Sequence, residues 1–507
     1  MAPIYWKFSV AMLLAGAAFS AHRAHTRTPA IECAALPVTD SNRKRVVIIG
    51  GGIMGACTAH TLASRGHSVV LLDAGHPIRS SWGESRIARL AYDDPLYVKM
   101  QQRAFDLWDE LAKKTGLRLR YVTGSIDIGS PRELAPLLRT YQTLRLPHIH
   151  FRSDATQAPP VPSVTSAIHQ LISRAGVELP AHAMQLLFPQ LALPPTKDAV
   201  FQPDGSMMLA DVCVRAATDA AVAAGACVRE DEAVVRVDRK SKTVYTEQGH
   251  SYQYDTLCVC AGPWNNFILR TAGLSLLPFI ASNEQQVFLL PKSDTVLNDL
   301  TNTHVPSDVM FGPDHFPTVI WRDSDNHGAD RMYALPAVPG GTPGVKVALH
   351  RHGRLMANDE FVAPAGLPLN NLPNRDKQPR AHQDSLPDAE RRQEVLALAA
   401  QRLPLLDATR ADTYLRCIYT NIAAAPETRP DDFVIGHHPE DERVVLVGGF
   451  NGSGFKFGPV VGEFAADLVE GRPPAIEGMR EAFTPVRLPM YRPDSLMRGR
   501  EAVEGEA

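Results

Sequence analysis

Cysteine is scarce in this 507-residue chain, and its seven copies, at 33, 57, 213, 227, 258, 260 and 417, form neither a C-x-x-C pair nor a zinc-ligand spacing. That spacing argues against a disulfide scaffold and against a metal site. Cys258 and Cys260 alternate along an apolar run and read as small buried side chains. An excess of one charge is missing too: a net charge of −3 leaves no basic surplus for nucleic acid and no acidic tail. A stable membrane span is not expected, because the apolar stretch from Phe8 to Ala21 covers only 14 residues, against about 20 for a bilayer. Lys7 precedes that stretch and Arg23, Arg27, Arg43, Lys44 and Arg45 follow it, with Glu32 and Asp40 the sole acids, so residues 1–43 read as a targeting segment and linker. Secretion and organelle import both stay open. The final Gly-Glu-Ala is not the Ser-Lys-Leu peroxisomal address. What remains is ordinary globular composition, 45% hydrophobic, over enough chain for two or three domains.

The run Arg45-Val-Val-Ile-Ile-Gly-Gly-Gly-Ile-Met-Gly55 joins a continuous β-rich segment to Gly50-x-Gly52-x-x-Gly55. Ile53 to Ser64 then carries small and apolar residues at helical spacing, and Val69-Val-Leu-Leu leads into Asp73. Strand, turn, helix and strand in that order predict a dinucleotide site. Gly50 permits the tight turn, Gly52 a close backbone approach to a pyrophosphate, and Gly55 close packing of helix on strand. The helix N-terminus offers amide donors, and Asp73 is placed for ribose hydroxyls. FAD and NAD both fit this motif.

Further along, Pro95 to Thr115 has Tyr97, Met100, Ala104, Leu107, Trp108 and Leu111 on one helical face. Residues 134–200 are mixed, with a Pro-rich loop at 158–162. Ala210 to Ala224 reads as a helix, followed by strands at Ala233–Val237 and Thr256–Gly262 that repeat the opening pattern and suggest a return to the nucleotide domain. Strands then dominate from Gln285 to His350, with a hairpin between Thr318–Trp321 and Met332–Leu335, and predict an antiparallel sheet. A polar, Pro-rich loop spans 351–384, and Asp388 to Arg402 reads as a helix. The chain ends its folded part through Val444–Gly449, Gly452-x-Gly454 and a helix from Pro459 to Val469.

Four stretches together resemble the FAD-dependent amine oxidases of the monomeric sarcosine oxidase and peroxisomal pipecolate/sarcosine oxidase family, within the D-amino-acid-oxidase-like superfamily. They are the glycine motif, Ser80-Ser-Trp-Gly-Glu-Ser-Arg-Ile-Ala-Arg89, Arg416-Cys-Ile-Tyr-Thr-Asn421 with Asp432-Phe-Val-Ile-Gly-His-His-Pro439, and Gly449-Phe-Asn-Gly-Ser-Gly-Phe-Lys-Phe457 with Pro459-Val-Val-Gly462. The resemblance implies FAD held by Gly50, Gly51, Gly52, Ile53, Met54, Gly55, Asp73, Ser81, Arg86, Val234 and Gly454, and tethered covalently through Cys417. Arg416, beside Cys417, is expected to favour its thiolate. The resemblance also implies that Arg89 and Lys456 hold the substrate carboxylate, that Lys346 activates oxygen, and that His350, Tyr333 and Tyr419 line the active site. In a strand, Lys346 and His350 share a face.

The chain departs from that family pattern at Trp82 and Ser453, where histidines are usual, and in a longer stretch at 421–430. The fold expected is α/β: a Rossmann-like FAD domain from 44–130, 205–275 and 411–480, and a substrate domain on an antiparallel sheet from 131–204 and 276–410, with 481–507 as a tail. The activity implied is oxidation of a secondary amine in a small N-methyl or cyclic amino acid by oxygen, with release of hydrogen peroxide. An amine dehydrogenase using another acceptor, a catalytically silent FAD-binding protein and an NAD-dependent enzyme remain as alternatives.

Overall fold

The computed structural model describes residues 43–76, 79–154, 176–293, 297–298, 304–322, 331–350, 354–355, 389–409, 411, 413–422 and 432–490. The leader, the loop at 158–162, the turn residues 323–328, nearly all of 351–384, the stretch 423–430 and the tail from 491 lie outside them.

The opening run forms the strand Arg45–Ile49 at the middle of a six-stranded sheet. It pairs in parallel with Ser68–Asp73 on one side and Thr256–Val259 on the other. Cys227–Glu230 extends the sheet beyond Ser68–Asp73, Asp441–Gly448 extends it beyond Thr256–Val259, and an antiparallel strand, Val434–His438, closes that edge. Alternation explains why the central strands read as unbroken apolar runs. Val46, Ile48, Leu71, Cys258 and Val445 point to one face, where the helices Ile53–Ser64, Ala210–Ala223 and Gly458–Glu470 pack. Val47, Ile49, Leu72, Leu257 and Leu446 point to the other, toward Val234, Val244 and Leu269. Both faces are therefore dry, as in a parallel sheet covered on two sides. The last helix crosses the first so closely that a Cβ on Gly462 would stand 2.7 Å from the Cys57 backbone.

Two expectations are corrected here. Val234–Asp238 does not return to the parallel sheet: it pairs with Thr243–Thr246 in a separate three-stranded antiparallel sheet. Thr256–Val259 does return, and the strand that joins the parallel sheet in place of Val234–Asp238 is Cys227–Glu230, an edge strand that is only half-buried and so lacks the apolar run of its neighbours. In addition Cys227 is disulfide-bonded, whereas Cys57, Cys213, Cys258, Cys260 and Cys417 are free and buried.

The second large sheet has ten strands, with the hairpin Thr318–Arg322/Arg331–Leu335 as expected. It is mixed rather than purely antiparallel, since Thr318–Arg322 runs parallel to Ser125–Gly129 and Ile149–Arg152 parallel to Val177–Pro180. Ser125–Gly129 and Thr413–Ile422 both pair in this sheet although they fall in ranges expected for the FAD domain. The helix Pro131–Leu144 stands in a stretch that the sequence left mixed; Ser130 and Glu133 form a capping box and Pro131 opens the first turn.

The two faces of this sheet differ in chemistry. Ile126, Ile128, Val287, Leu289, Val319, Trp321, Val345 and Val347 share an apolar core on one side. Met332, Ala334 and Leu349 belong to the same core, so by alternation Asp127, Tyr333, Lys346 and His350, next to these residues, and Glu284, three positions from Val287, face the opposite way. Register places Tyr333 across from Ala348 and Cys417 across from Glu284. One sheet thus gathers polar side chains from distant segments onto a single face.

Candidate active site

The glycine motif is explained by what surrounds it. Gly50 has φ +106°, and a Cβ there would lie 2.4 Å from the Cys260 carbonyl oxygen; a Cβ on Gly55 would lie 1.9 Å from the Gly50 oxygen. Only glycine meets both demands. The Gly51 amide donates to Asp73 Oδ2 at 2.7 Å, while Gly75 N–H and Arg79 Nη1 donate to Asp73 Oδ1 at 2.8 and 3.0 Å, so the carboxylate is fixed beside the turn. Ser81 Oγ accepts from the Ile53 amide at 3.0 Å and holds the segment 79–86 over the helix N-terminus.

A cleft enclosing about 1290 Å³, part of it open to solvent, begins here. Its walls include Gly50, Gly52, Ile53, Met54, Asp73 and Ser81, then Val234 and Trp264, and at the far end Arg86, Tyr419 and Gly454. Gly51 and Gly55 shape the turn from behind. Length, glycine cradle, helix N-terminus and fixed carboxylate fit an extended dinucleotide such as FAD.

At the far end, the segment 80–86 wraps the Arg86 guanidinium, which donates to the carbonyls of Ser80, Trp82 and Ser85 and lies 5.7 Å from the Phe455 ring. Ser80 Oγ reaches across to the Ile418 carbonyl at 2.5 Å, tying this segment to the strand that carries Cys417. Lys346 is buried, and its Nζ donates to the Ser85 carbonyl at 2.5 Å. Burial, with Arg86 nearby, holds Lys346 well below the ordinary lysine range.

Cys417 is buried, and burial raises its thiol pKa, an effect opposed by Arg86 and Lys346 and reinforced by Glu284. The cations that bear on this thiol are therefore Arg86 and Lys346. Arg416, expected to do so, is the next residue along the strand and faces the opposite side. Tyr419 shares a hydrogen bond with Tyr333, and burial pushes both phenols up. The His350 ring lies 5.6 Å from the Tyr419 ring. Gly452, at φ +73°, packs so tightly on Tyr419 that a Cβ would come within 2.1 Å of the ring.

Arg89 and Lys456 meet around a residue that sequence reasoning passed over. The Arg89 guanidinium carbon and Lys456 Nζ each lie 5.7 Å from the centre of the Tyr92 ring. Lys456 is buried and donates to the Ser453 carbonyl at 2.6 Å, while Trp108 Nε1 donates to the Lys456 carbonyl at 2.8 Å. Burial, then the charge of Arg89, lowers Lys456 to about 7. Asp127, also passed over, accepts from both Arg89 Nη1 and Arg322 Nε, each at 2.8 Å, and Arg322 was passed over with it. An acid in the strand Ser125-Ile-Asp-Ile-Gly129, flanked by isoleucines, was the available signal. Cys417, Lys346, His350, Tyr333, Arg89 and Lys456 do not themselves line the cleft but adjoin its Arg86 and Tyr419 end. No helix among the described residues is long and apolar enough to cross a membrane.

A family model described as FAD dependent oxidoreductase matches residues 45–468. The chain is 27% identical over 437 residues to monomeric sarcosine oxidase of Streptomyces avermitilis, covering 83% of this chain and 92% of that protein. It is 25% identical over 429 residues to human peroxisomal sarcosine oxidase, covering 83% and 91%. Among solved structures it superposes on L-proline dehydrogenase from P. horikoshii with a TM-score of 0.61 at 19% identity, over 88% of this chain and 97% of that one.

Proposed function

The chain belongs to the FAD dependent oxidoreductase family and is an FAD-dependent amine oxidoreductase, and from that premise we propose that it oxidises the secondary amine of a small N-methyl or cyclic amino acid, with oxygen as acceptor. The observation that carries this reading is the meeting of Arg89 and Lys456 around Tyr92, beside the end of the dinucleotide cleft. Two cationic side chains on one aromatic ring suit the carboxylate of an amino acid.

The FAD, when bound, supplies the redox chemistry, taking up the two electrons released at the carbon next to the amine nitrogen and passing them to oxygen. The substrate loses two electrons and two protons to become an imine, oxygen gains both to become hydrogen peroxide, and water hydrolyses the imine unless it cyclises. Gly50, Gly52 and Asp73 would hold the nucleotide half. Cys417 would hold the ring through a thioether, and Arg86 would lie beside it. Tyr419, at the far end of the cleft, with Tyr333 and His350 packed beside it, would bound the substrate on that side. Lys346 would offer a donor to the charge that develops on oxygen. Segments 44–130, 205–275 and 411–480 chiefly serve the cofactor, and 131–204 and 276–410 the substrate.

A second reading has one observation in its favour. Burial, with Arg86 nearby, lowers the pKa of Lys346 and so disfavours its charged form, which weakens its pull on reduced oxygen and suits a dehydrogenase with another acceptor. Peroxide release on a panel of N-methyl and cyclic amino acids separates the two. Turnover with stoichiometric peroxide supports the oxidase; turnover only with an added electron acceptor supports the dehydrogenase and overturns the oxidase.

A further inference from the structure

Arg89 is tied down at a single nitrogen. Its Nη1 donates to Asp127 Oδ1 and Oδ2 at 2.8 and 3.1 Å and to the Ala91 carbonyl at 2.8 Å. Among the described residues, Nε and Nη2 have no hydrogen-bond partner. Those two nitrogens form one edge of the guanidinium plane, a fork matched to the two oxygens of a carboxylate.

The group that grips Nη1 is itself fixed. Asp127 is 1% exposed and lies in the middle of the large sheet, in register with Ile320, which pairs in turn with Tyr333. A lone buried carboxylate is costly unless it is paired. Arg322 supplies the partner: its Nε donates to Asp127 Oδ1 at 2.8 Å and its Nη1 to Asp93 Oδ1 at 2.9 Å. Asp93 is half exposed, at the water-facing end of the chain of charges. Over the whole chain of charges the two arginines and two carboxylates cancel, but Asp93 faces water and its charge is screened, so in the buried part Asp127 and Arg322 offset each other and Arg89 keeps its positive charge for another anion.

We propose that Asp127 and Arg322 are positioning residues, a buried neutral pair that holds Arg89 by Nη1 and turns its Nε–Nη2 edge to the carboxylate of the substrate. The inference rests on the function proposed above and names the support of its carboxylate site. A strand in a packed sheet is a rigid mount, and rigid support is what such a contact requires. The pair acts through geometry. Electrostatics alone makes a different forecast: without Asp127 the site gains a positive charge and an anion binds more tightly.

Two variants of the FAD-loaded enzyme separate geometry from charge. Asp127→Asn removes the negative charge, and Asp127→Asn with Arg322→Gln leaves the net charge of the site as in the parent. Each is assayed with the best amino acid of the substrate panel and with its methyl ester, which lacks the carboxylate. The expected result is a KM for the acid raised about tenfold or more in both variants, with kcat nearly unchanged and with the ester turned over as by the parent enzyme. A lower KM in Asp127→Asn together with an unchanged KM in the double variant would overturn the inference, because charge alone would then account for the pair. Equal losses on acid and ester would also overturn it, as the sign of a general structural role. A parent enzyme that handles acid and ester alike would instead refute the proposed carboxylate site, and the positioning role with it.

Discussion

Lys456 offers the sharpest test of the carboxylate site, because its charge state changes near neutral pH. Burial and the neighbouring Arg89 lower its pKa from 10.5 to about 7, which corresponds to a penalty on the charged form of about 5 kcal/mol as an order of magnitude. A bound carboxylate would offset much of that penalty and restore the proton. Binding must then be coupled to proton uptake above pH 7. For a small carboxylate without an amine, so that the ligand does not titrate, affinity should fall about tenfold per pH step above 7, or roughly fiftyfold between pH 7 and pH 9. Titration of the visible flavin spectrum reads the Kd at each pH. In Lys456→Met the Kd should be weaker at pH 6 and flat to pH 9. The same residue makes a stability forecast. Below pH 7 the lysine is charged in both folded and unfolded chains, so the burial penalty is felt in full. Between about 7 and 10.5 the unfolded chain binds a proton that the folded one lacks, and stability rises with pH. Lys456→Met should therefore unfold at a higher temperature than the parent at pH 6, with the gap closing by pH 10. A parent Kd that varies less than about threefold from pH 6 to 9, against the one-proton slope expected, would refute the reasoning.

Other substitutions test the remaining parts of the site. Cys417→Ser should leave a protein that binds FAD but releases it on acid precipitation, whereas the parent keeps its colour in the pellet. Lys346→Met should slow reoxidation by oxygen about a hundredfold while anaerobic flavin reduction stays close to the parent rate; equal slowing of both steps would contradict its assignment to the oxygen reaction. Gly50→Ala, at φ +106° and 2.4 Å from the Cys260 carbonyl, should abolish FAD retention, read as the ratio of visible to protein absorbance. Gly452→Ala pushes a methyl into the Tyr419 ring and should raise substrate KM with little loss of FAD.

The parts of this molecule that could be read from sequence are those written in local periodicity. The apolar runs at Val46–Ile49 and Val69–Leu72, with glycines between them, could be little else than parallel strands around a dinucleotide turn, and the helix Ile53–Ser64 follows as expected. Period-two alternation placed Lys346 and His350 on one face. The capping box at Ser130 and Glu133 was equally local and went unused. What sequence could not show were distances across the fold. Nothing near Cys417 in sequence indicates that its thiol feels Arg86 and Lys346, and the adjacent Arg416 misleads because neighbouring strand residues face apart. Tyr92, Asp127 and Arg322 matter through contacts between segments far apart in the chain: Lys456 reaches the Tyr92 ring, Arg89 donates to Asp127, and Arg322 donates to Asp127 from a neighbouring strand. The strand Cys227–Glu230 was missed for a related reason: at a sheet edge, half-buried side chains carry no clear pattern.

The most direct measurement of the central claim is anaerobic mixing of the FAD-loaded protein with a small N-methyl or cyclic amino acid, followed by admission of air. Loss of the visible flavin absorbance on mixing, and its return in air with one equivalent of hydrogen peroxide, is the predicted course. Flavin that stays oxidised across the whole panel of secondary amino acids, in protein shown to hold a full complement of FAD, would contradict the account.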